Sequence, residues 1–415
     1  MKTPAKPHTS AKPHKSKRRL PTAQSLVRIA VLLVLAGIVC AGLLLYRDEA
    51  VRTTVQDYLT ARKIDKVIVD YTDNVVVRTL ADVADKIAAL RDATVRLQAE
   101  PSEAAMRAAT DAWRAARAQW QAIYTFAYGP NAFYDFDKQI ASWPLDRPMI
   151  DHTIAEMAAG RLQLTSRYLR EQQYSTLRGF FAAEYLLFRD GQPRKAGDLG
   201  PFELQYLTAV TRAMAEESLD FQAAWVGTDR LPAPAVAALT EAGLRPRTSY
   251  AEEFKHPGQP GSRYVSPSIP LQEMFQESHS VVEDACAMIE EMLASDDPKD
   301  SESRYSRNVS ADIVNRLKGV ETAYLGGIEG VRRHAQADLV ANKNSVLDRR
   351  IRISLARAQH SVAAVGDPYG EHREDKELKV RRAMAACTKL ADNFASAIPV
   401  VCLDPASKPW AAYGR

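Results

Sequence analysis

Histidine and cysteine are scarce in this chain, with 8 and 4 residues in 415. No CxxC occurs, so neither a thiol-redox centre nor a zinc ribbon is indicated. No HExxH occurs, which removes the zincin pattern. Glycine is thin outside break points, at 19 residues. Charge of one sign is also lacking: 55 basic against 51 acidic residues leave +4. The apolar share of 46% and charged share of 26% are ordinary for a globular protein and exclude a disordered one. A chain of this length can bury a sizeable core and form two domains. What is plentiful is alanine and helical periodicity, and the fold class predicted is all-α.

The surplus of positive charge is local. Lys2, Lys6, Lys12, Lys15, Lys17, Arg18, Arg19 and Arg28 stand without an acid among them, broken by Pro4, Pro7, Pro13 and Pro21. That composition predicts a disordered basic arm over 1–28. Removing its eight charges from 55 leaves 47 basic against 51 acidic residues. The remainder is therefore no nucleic-acid-binding domain, and no nucleic acid is expected as a partner. Ile29–Tyr46 follows as 18 residues without a charge, enough to cross a bilayer with its flanks. The basic side stays inside, so the chain reads as an uncleaved signal anchor with its bulk outside the cytoplasm. A cleaved or lipidated form is the alternative. Against it, the run is long for a signal peptide, and Val39 before Cys40 with Leu43–Leu45 after it suits a span better.

Helices follow in order. Leu80, Val83, Ile87, Leu90, Thr94 and Leu97 step by three and four, as do Met106, Ala109, Trp113, Ala116, Trp120 and Ile123. Ser102 is placed to cap the second. Gly129–Pro130 breaks the pattern, and the connection after it, with Asp135, Asp137, Trp143 and Pro144, carries no period. Further helices are predicted at about 151–171, 202–225, 274–293, 345–365 and 371–397, with another starting at Ile313. Residues 191–200 read as a loop, 227–270 as a surface excursion and 295–306 as a polar linker. The division predicted is a first bundle over 60–265, a second over 266–400, and an irregular tail over 401–415.

One stretch carries a chemical anomaly. Leu177–Asp190 is an apolar helical run with one carboxylate, Glu184, set into its interior between Phe181 and Phe188 on one face, and Gly179 leaves bare backbone a turn earlier. An ionised carboxylate in such company must find a partner or take up a proton. It is either an anchor held by an Arg, a Tyr or a neighbouring domain, or a polar point at the mouth of an interdomain cleft. Gly179, Phe181, Glu184, Asp135 and Trp143 form the candidate ligand site; no catalytic residue is assigned. Trp113, Trp120 and Phe126 read as core, with ligand stacking the alternative. His152–Glu156, His279–Glu283 and His334–Asp338 are i,i+4 pairs that read as solvated helix faces. Asn308, Ser310 and Asp312 read as helix-start caps. Cys286, Cys387 and Cys402 allow one disulfide with one thiol over; Cys387–Cys402 closes the shortest loop, and spacing alone does not choose.

RAARAQWQAIYTFAYGP, then SWPLD, GFFAAEYLLF and SRNVSADIVNRLKGVETAYLGG, in this order, resemble the imelysin-like family from about residue 66 to about 400. The resemblance implies an all-helical fold of two packed bundles and an envelope protein of bacteria linked to iron or haem uptake. Some such proteins were named metallopeptidases. The family's Gly-x-His-x-x-Glu is matched at Gly179 and Glu184, while Phe181 stands in place of the His. The resemblance thus implies iron or another divalent metal, but leaves Glu184 as the one motif ligand retained. IPVVCLDPASKP also departs from the family's usual ending. The function expected is a membrane-anchored binding or accessory protein in iron or haem handling, with envelope proteins as partners. The alternatives are an imelysin-type metallopeptidase and, more weakly, a sensor or scaffold ectodomain.

Overall fold

Apolar residues repeating by three and four set the first helices of the computed structural model, which describes residues 32–37, 39, 42, 49–172, 174–294, 301–327, 334–369 and 373–402. The basic arm, Cys40, most of the 29–46 run and the tail from 403 lie outside these residues. Among the described residues no helix is long and apolar enough to cross a membrane. The chain divides into two units, Met1–Thr60 and Ala61–Arg415. The described residues of the first are helical, and all that follows concerns the second.

Helix α1 (Val77–Ala99) buries Leu80, Val83, Ile87, Leu90, Thr94 and Leu97, the stepping set read from the sequence. Ser102 accepts from the Ala105 amide at 3.2 Å and starts α2 (Glu103–Trp120), which buries Met106, Ala109, Trp113, Ala116 and Trp120. After Trp120 the chain tightens into a 3₁₀ segment, Gln121–Phe126. The connection that carries no period is not irregular: it forms two short helices, Pro130–Tyr134 and Phe136–Ala141, hinged at Asp135 in the left-handed region. The helix expected over 151–171 is likewise two pieces. Arg147–Ala158 ends before Gly160, which has φ +68°, and Ser166–Glu171 starts from a cap in which Thr165 accepts from the Tyr168 amide.

Helix α3 (Gly179–Leu187) carries the Glu184 stretch and is shorter than the apolar run. Phe188 and Arg189 leave it as an extended strand and pair with Gln192–Pro193, with Phe188 opposite Pro193. The turn is Asp190–Gly191 with φ of 50° and 81°, and Asp-Gly is the dipeptide that a two-residue hairpin with positive φ at both positions favours. The second strand of this hairpin stands at the start of the stretch predicted from sequence as a plain loop over 191–200. Helix α4 (Pro201–Val226) is buried nearly all round and packs along α1, where the Thr94 and Thr211 hydroxyls meet at 2.7 Å.

Helices α5 (Ser268–Ala294), α6 (Val309–Leu325), α7 (Ser345–Ala363) and α8 (Arg373–Cys402) complete the unit. Helix α5 packs on α8, α8 on α7, and α7 on α6. Helices α5 and α6 both reach the 3₁₀ segment, where a Cβ on Gly319 would stand 2.8 Å from Ala122 Cα. Buried apolar residues from Val67 to Cys402 form one contiguous cluster. Trp113, Trp120 and Trp225 are among its largest members, each contributing about 2–3 kcal/mol by leaving water. Trp113, Trp120 and Phe126 are thus core residues.

At the C-terminal end, helix α8 runs through Pro399 to Cys402, five residues beyond the end predicted at 397. Cys387 and Cys402 therefore share one helix fifteen residues apart, and a rise of about 1.5 Å per residue separates them by roughly 22 Å. The shortest-loop pair cannot be a disulfide.

Candidate functional site

Helix α3 is seated by its first residue. Gly179 has φ +83°, and a Cβ there would lie 2.3 Å from the carbonyl oxygen of Ile140. Only glycine permits both the backbone conformation and the approach. The Trp113 indole donates to the Phe180 carbonyl at 3.0 Å, and the Tyr206 hydroxyl donates to the Leu177 carbonyl at 2.7 Å. All nine residues of α3 are buried. Phe181 and Glu184, three apart, are thereby fixed on one side of the helix.

Glu184 is fully buried, and its partner is neither an Arg nor a Tyr side chain. One carboxylate oxygen, Oε1, accepts from the Tyr305 amide at 3.1 Å, the Ser306 amide at 2.7 Å and the Ser306 hydroxyl at 2.6 Å. The other, Oε2, is buried and accepts nothing from the described residues. Loss of water pushes the Glu184 carboxyl up to about 7. The Ser306 hydroxyl and amide act against that rise, Asp312 adds to it, and Arg117 opposes it. At neutral pH the group is thus balanced between carboxylate and acid, with Oε2 the free position for the proton.

The residues that grip Glu184 come from the stretch read as a polar linker. Ser301, Ser303 and Ser306 are buried, and Ser303 and Arg307 both have φ of 54°, a left-handed conformation costly for residues with a side chain. Tertiary bonds hold it. The Gly191 amide of the hairpin donates to the Tyr305 carbonyl at 2.9 Å, and the Ser303 hydroxyl donates to Asp312 Oδ2 at 2.6 Å. Nothing local in the sequence marks Ser306, because its role arises 122 residues from Glu184.

A buried cation lies beside the carboxylate. Arg117 of α2 is completely enclosed; its Nε donates to Asp312 at 3.2 Å and its Nη2 to Glu302 at 3.1 Å. Its guanidinium carbon is 4.7 Å from the centre of the Phe181 ring and 5.6 Å from that of Phe180. Arg316 of α6 extends the network to Gln121 at 2.7 Å and to Glu302 at 3.4 Å. Asp312 also accepts from the Asn308 amide group at 2.8 Å. Asp312 and Asn308 are therefore members of the buried network and not mere helix-start caps. A sequence signal for Arg117 existed: it sits four residues after Trp113 and three before Trp120, on the apolar face of α2.

Toward the surface, Trp143 packs on Phe181 at 5.2 Å, and Tyr185 meets Tyr305 at 5.2 Å. Arg189 lies over both tyrosine rings, and Arg304 over Trp143 and Tyr305. Of the candidate residues, Gly179, Phe181, Glu184 and Trp143 thus come together. Asp135 does not join them; it is an exposed hinge residue paired with Lys138 at 2.8 Å. Among the histidine pairs, His279 faces Glu283 at 3.4 Å, while Glu156 is taken by Arg161. His334 bonds Asp70 at 2.8 Å through Nδ1.

The residues present do not fit a metal. Phe181 offers no donor, Glu184 has three bonds on Oε1 and is left with Oε2 alone, and a guanidinium stands over the ring where the motif's imidazole would be. A cation at contact distance from Arg117 would be repelled. Among the described residues no group of three His, Cys, Asp or Glu side chains is placed to hold a metal ion.

The fold matches solved structures. A crystal structure described as a putative iron-regulated protein A precursor from Parabacteroides distasonis superposes with a TM-score of 0.67 at 24% identity, covering 82% of this chain and 95% of that one. An imelysin-like protein from Psychrobacter arcticum gives 0.60 at 15% identity, over 82% and 96%. Iron-regulated protein A of Synechococcus elongatus is 25% identical over 362 residues, 86% of this chain and 90% of that protein. The family model described as Imelysin matches residues 76–397, and the chain belongs to that family.

Proposed function

We propose that this chain is an envelope protein of iron metabolism that works by binding, without a hydrolytic metal at its family motif. The observation that carries the reading is the Arg117 guanidinium over Phe181, paired with Asp312 and Glu302. It supplies a fixed, protein-borne positive charge beside Glu184, where a metal-dependent peptidase needs several ligands and an open position. The iron connection rests on family membership and on the similarity to iron-regulated protein A.

In this reading Ile29–Tyr46 anchors the chain in the inner membrane, with the basic arm cytoplasmic and the bulk periplasmic. Residues 60–265 and 266–400 act as two bundles, and Glu184 fastens the segment between α5 and α6 of the second onto α3. The ligand meets the surface above that fastening. Trp143 and Tyr305 are half-buried there beside Arg189 and Arg304, a combination of rings and cations suited to a planar, carboxylate-bearing iron ligand such as haem.

The test is a titration of the purified full chain in detergent with ferrous iron, zinc and haem, beside a peptidase assay and elemental analysis. Haem binding without cleavage, weakened several-fold by Arg304→Ala, supports the reading. Stoichiometric metal with peptide hydrolysis abolished by Glu184→Gln would overturn it in favour of an imelysin-type metallopeptidase.

A further inference from the structure

Two helices far apart in sequence bring two cysteines together. Cys286 lies on α5 and Cys387 on α8, which pack along each other, and the two thiols lie close enough for each to set the other's acidity. Cys387 is fully buried, whereas Cys286 is half-buried and reachable from solvent. The third described cysteine, Cys402, is buried at the end of α8, far along the same helix from Cys387. Neither the Glu184 site nor the aromatic surface above it uses these thiols.

We propose that Cys286 and Cys387 are a disulfide-forming pair that staples α5 to α8, closed by thiol–disulfide exchange with a disulfide oxidant of the envelope. Their environments assign the order of attack. Hydrogen bonds from Cys387 and Thr388 hold the Cys286 thiol below its usual range, outweighing its burial. Cys387 is raised because its proton is shared with Cys286 and because it is buried. The half-exposed Cys286 thiolate attacks one sulfur of the oxidant, breaking its S–S bond and expelling one thiolate, which takes up the proton Cys286 has lost. Cys387 then gives up its proton, and its sulfur attacks Cys286 Sγ. That step breaks the mixed disulfide and releases the second oxidant sulfur as a thiol. Two cysteines are oxidised by two electrons in all, and one disulfide is reduced to two thiols.

The pair joins residues 101 positions apart, so closure removes a large loop from the unfolded ensemble. It would bind α8 to α5, independently of whatever the Glu184 site binds.

The test treats the reduced full chain with glutathione disulfide, blocks remaining thiols, and maps peptides after trypsin. Lys389 separates Cys387 from Cys402, so the three cysteines fall on different peptides. The expected product links the Cys286 and Cys387 peptides within one chain, leaves Cys402 alkylated after denaturation, and raises Tm by roughly 5 °C. Cys387→Ala is expected to accumulate the Cys286–glutathione mixed disulfide, and Cys286→Ala to leave Cys387 unmodified in the folded protein. Should Cys387→Ala fail to fold, acid-quenched time points of the wild type read the same intermediate. A stable Cys286–glutathione adduct in the wild type, a link to Cys402, or links only between chains would each overturn the proposal.

Discussion

The guanidinium of Arg117 stands 4.7 Å over the ring of Phe181, the residue that replaces the motif histidine. The two belong together physically. A neutral aromatic face attracts a buried cation, by about 2 kcal/mol when water is excluded, whereas a protonated imidazole would repel it. Asp312 and Glu302 neutralise the same guanidinium. Restoring the histidine therefore does not restore a metal site while Arg117 remains. Phe181→His is expected to lower Tm and to bind no stoichiometric iron or zinc, as read by elemental analysis after dialysis. Retention of one metal per chain would show that Arg117 yields the place.

Glu184 makes stability depend on pH. Its carboxyl is raised to about 7 in the fold from an ordinary unfolded value near 4.5, so between those values the native state holds the proton more tightly than the unfolded state. Stability is then full below about pH 4.5, falls as pH rises toward 7, and stays level above. The loss is on the order of 3 kcal/mol for this buried group. Glu217 and Glu277, also raised to about 7 by burial, act with the same sign. Glu184→Gln keeps the shape and removes the titration. Urea unfolding at pH 5, 6, 7 and 8 should show a slope against pH shallower by about one proton, with stability at pH 8 no lower than wild type. An unchanged slope would place the titration elsewhere.

Ser306 is the strongest single contact to that carboxylate, through a hydroxyl at 2.6 Å and an amide at 2.7 Å. Ser306→Ala removes the hydroxyl and leaves the amides. The expected cost is about 1–3 kcal/mol at pH 8, where the carboxylate form is present, and less at pH 5, where the proton replaces the lost donation. Equal losses at both pH values would mean that the serine acts by packing alone.

Gly179→Ala tests the seat of α3. The new methyl would stand 2.3 Å from the Ile140 carbonyl oxygen at a backbone with φ +83°. Backbone strain and overlap together are expected to cost more than about 3 kcal/mol, visible as a sharp drop in Tm or in soluble yield. A Tm within a degree or two of wild type would contradict the seating described.

Legibility followed the range of the interactions. Helices such as α1 and α2 were readable because burial of one face imprints a period on the sequence, and Ser102 because a cap acts three residues away. Short-range breaks were harder. The Asp190–Gly191 turn carried a known signal that the apolar run around it masked, and Phe136–Ala141 is too short to show a period. In the site, Glu184 was conspicuous because a lone carboxylate among phenylalanines violates the pattern. Arg117 violated the pattern of α2 in the same way and was passed over, since guanidinium groups on helices are usually solvated.

The sequence by itself determined the all-α class, the family and the identity of the anomalous carboxylate, because composition, period and motif are properties of neighbouring residues. Only the tertiary structure decided what the carboxylate does. Ser306 and Tyr305 reach it from more than a hundred residues away, and Arg117 is placed beside Phe181 by the packing of α2 against α3. The same holds for Cys286 and Cys387, which lie on different helices, while the nearer pair in sequence is held apart by one. A hydrogen bond, a cation over a ring or a thiol contact needs a few ångströms of space, and sequence spacing fixes such distances only within a single helix or turn.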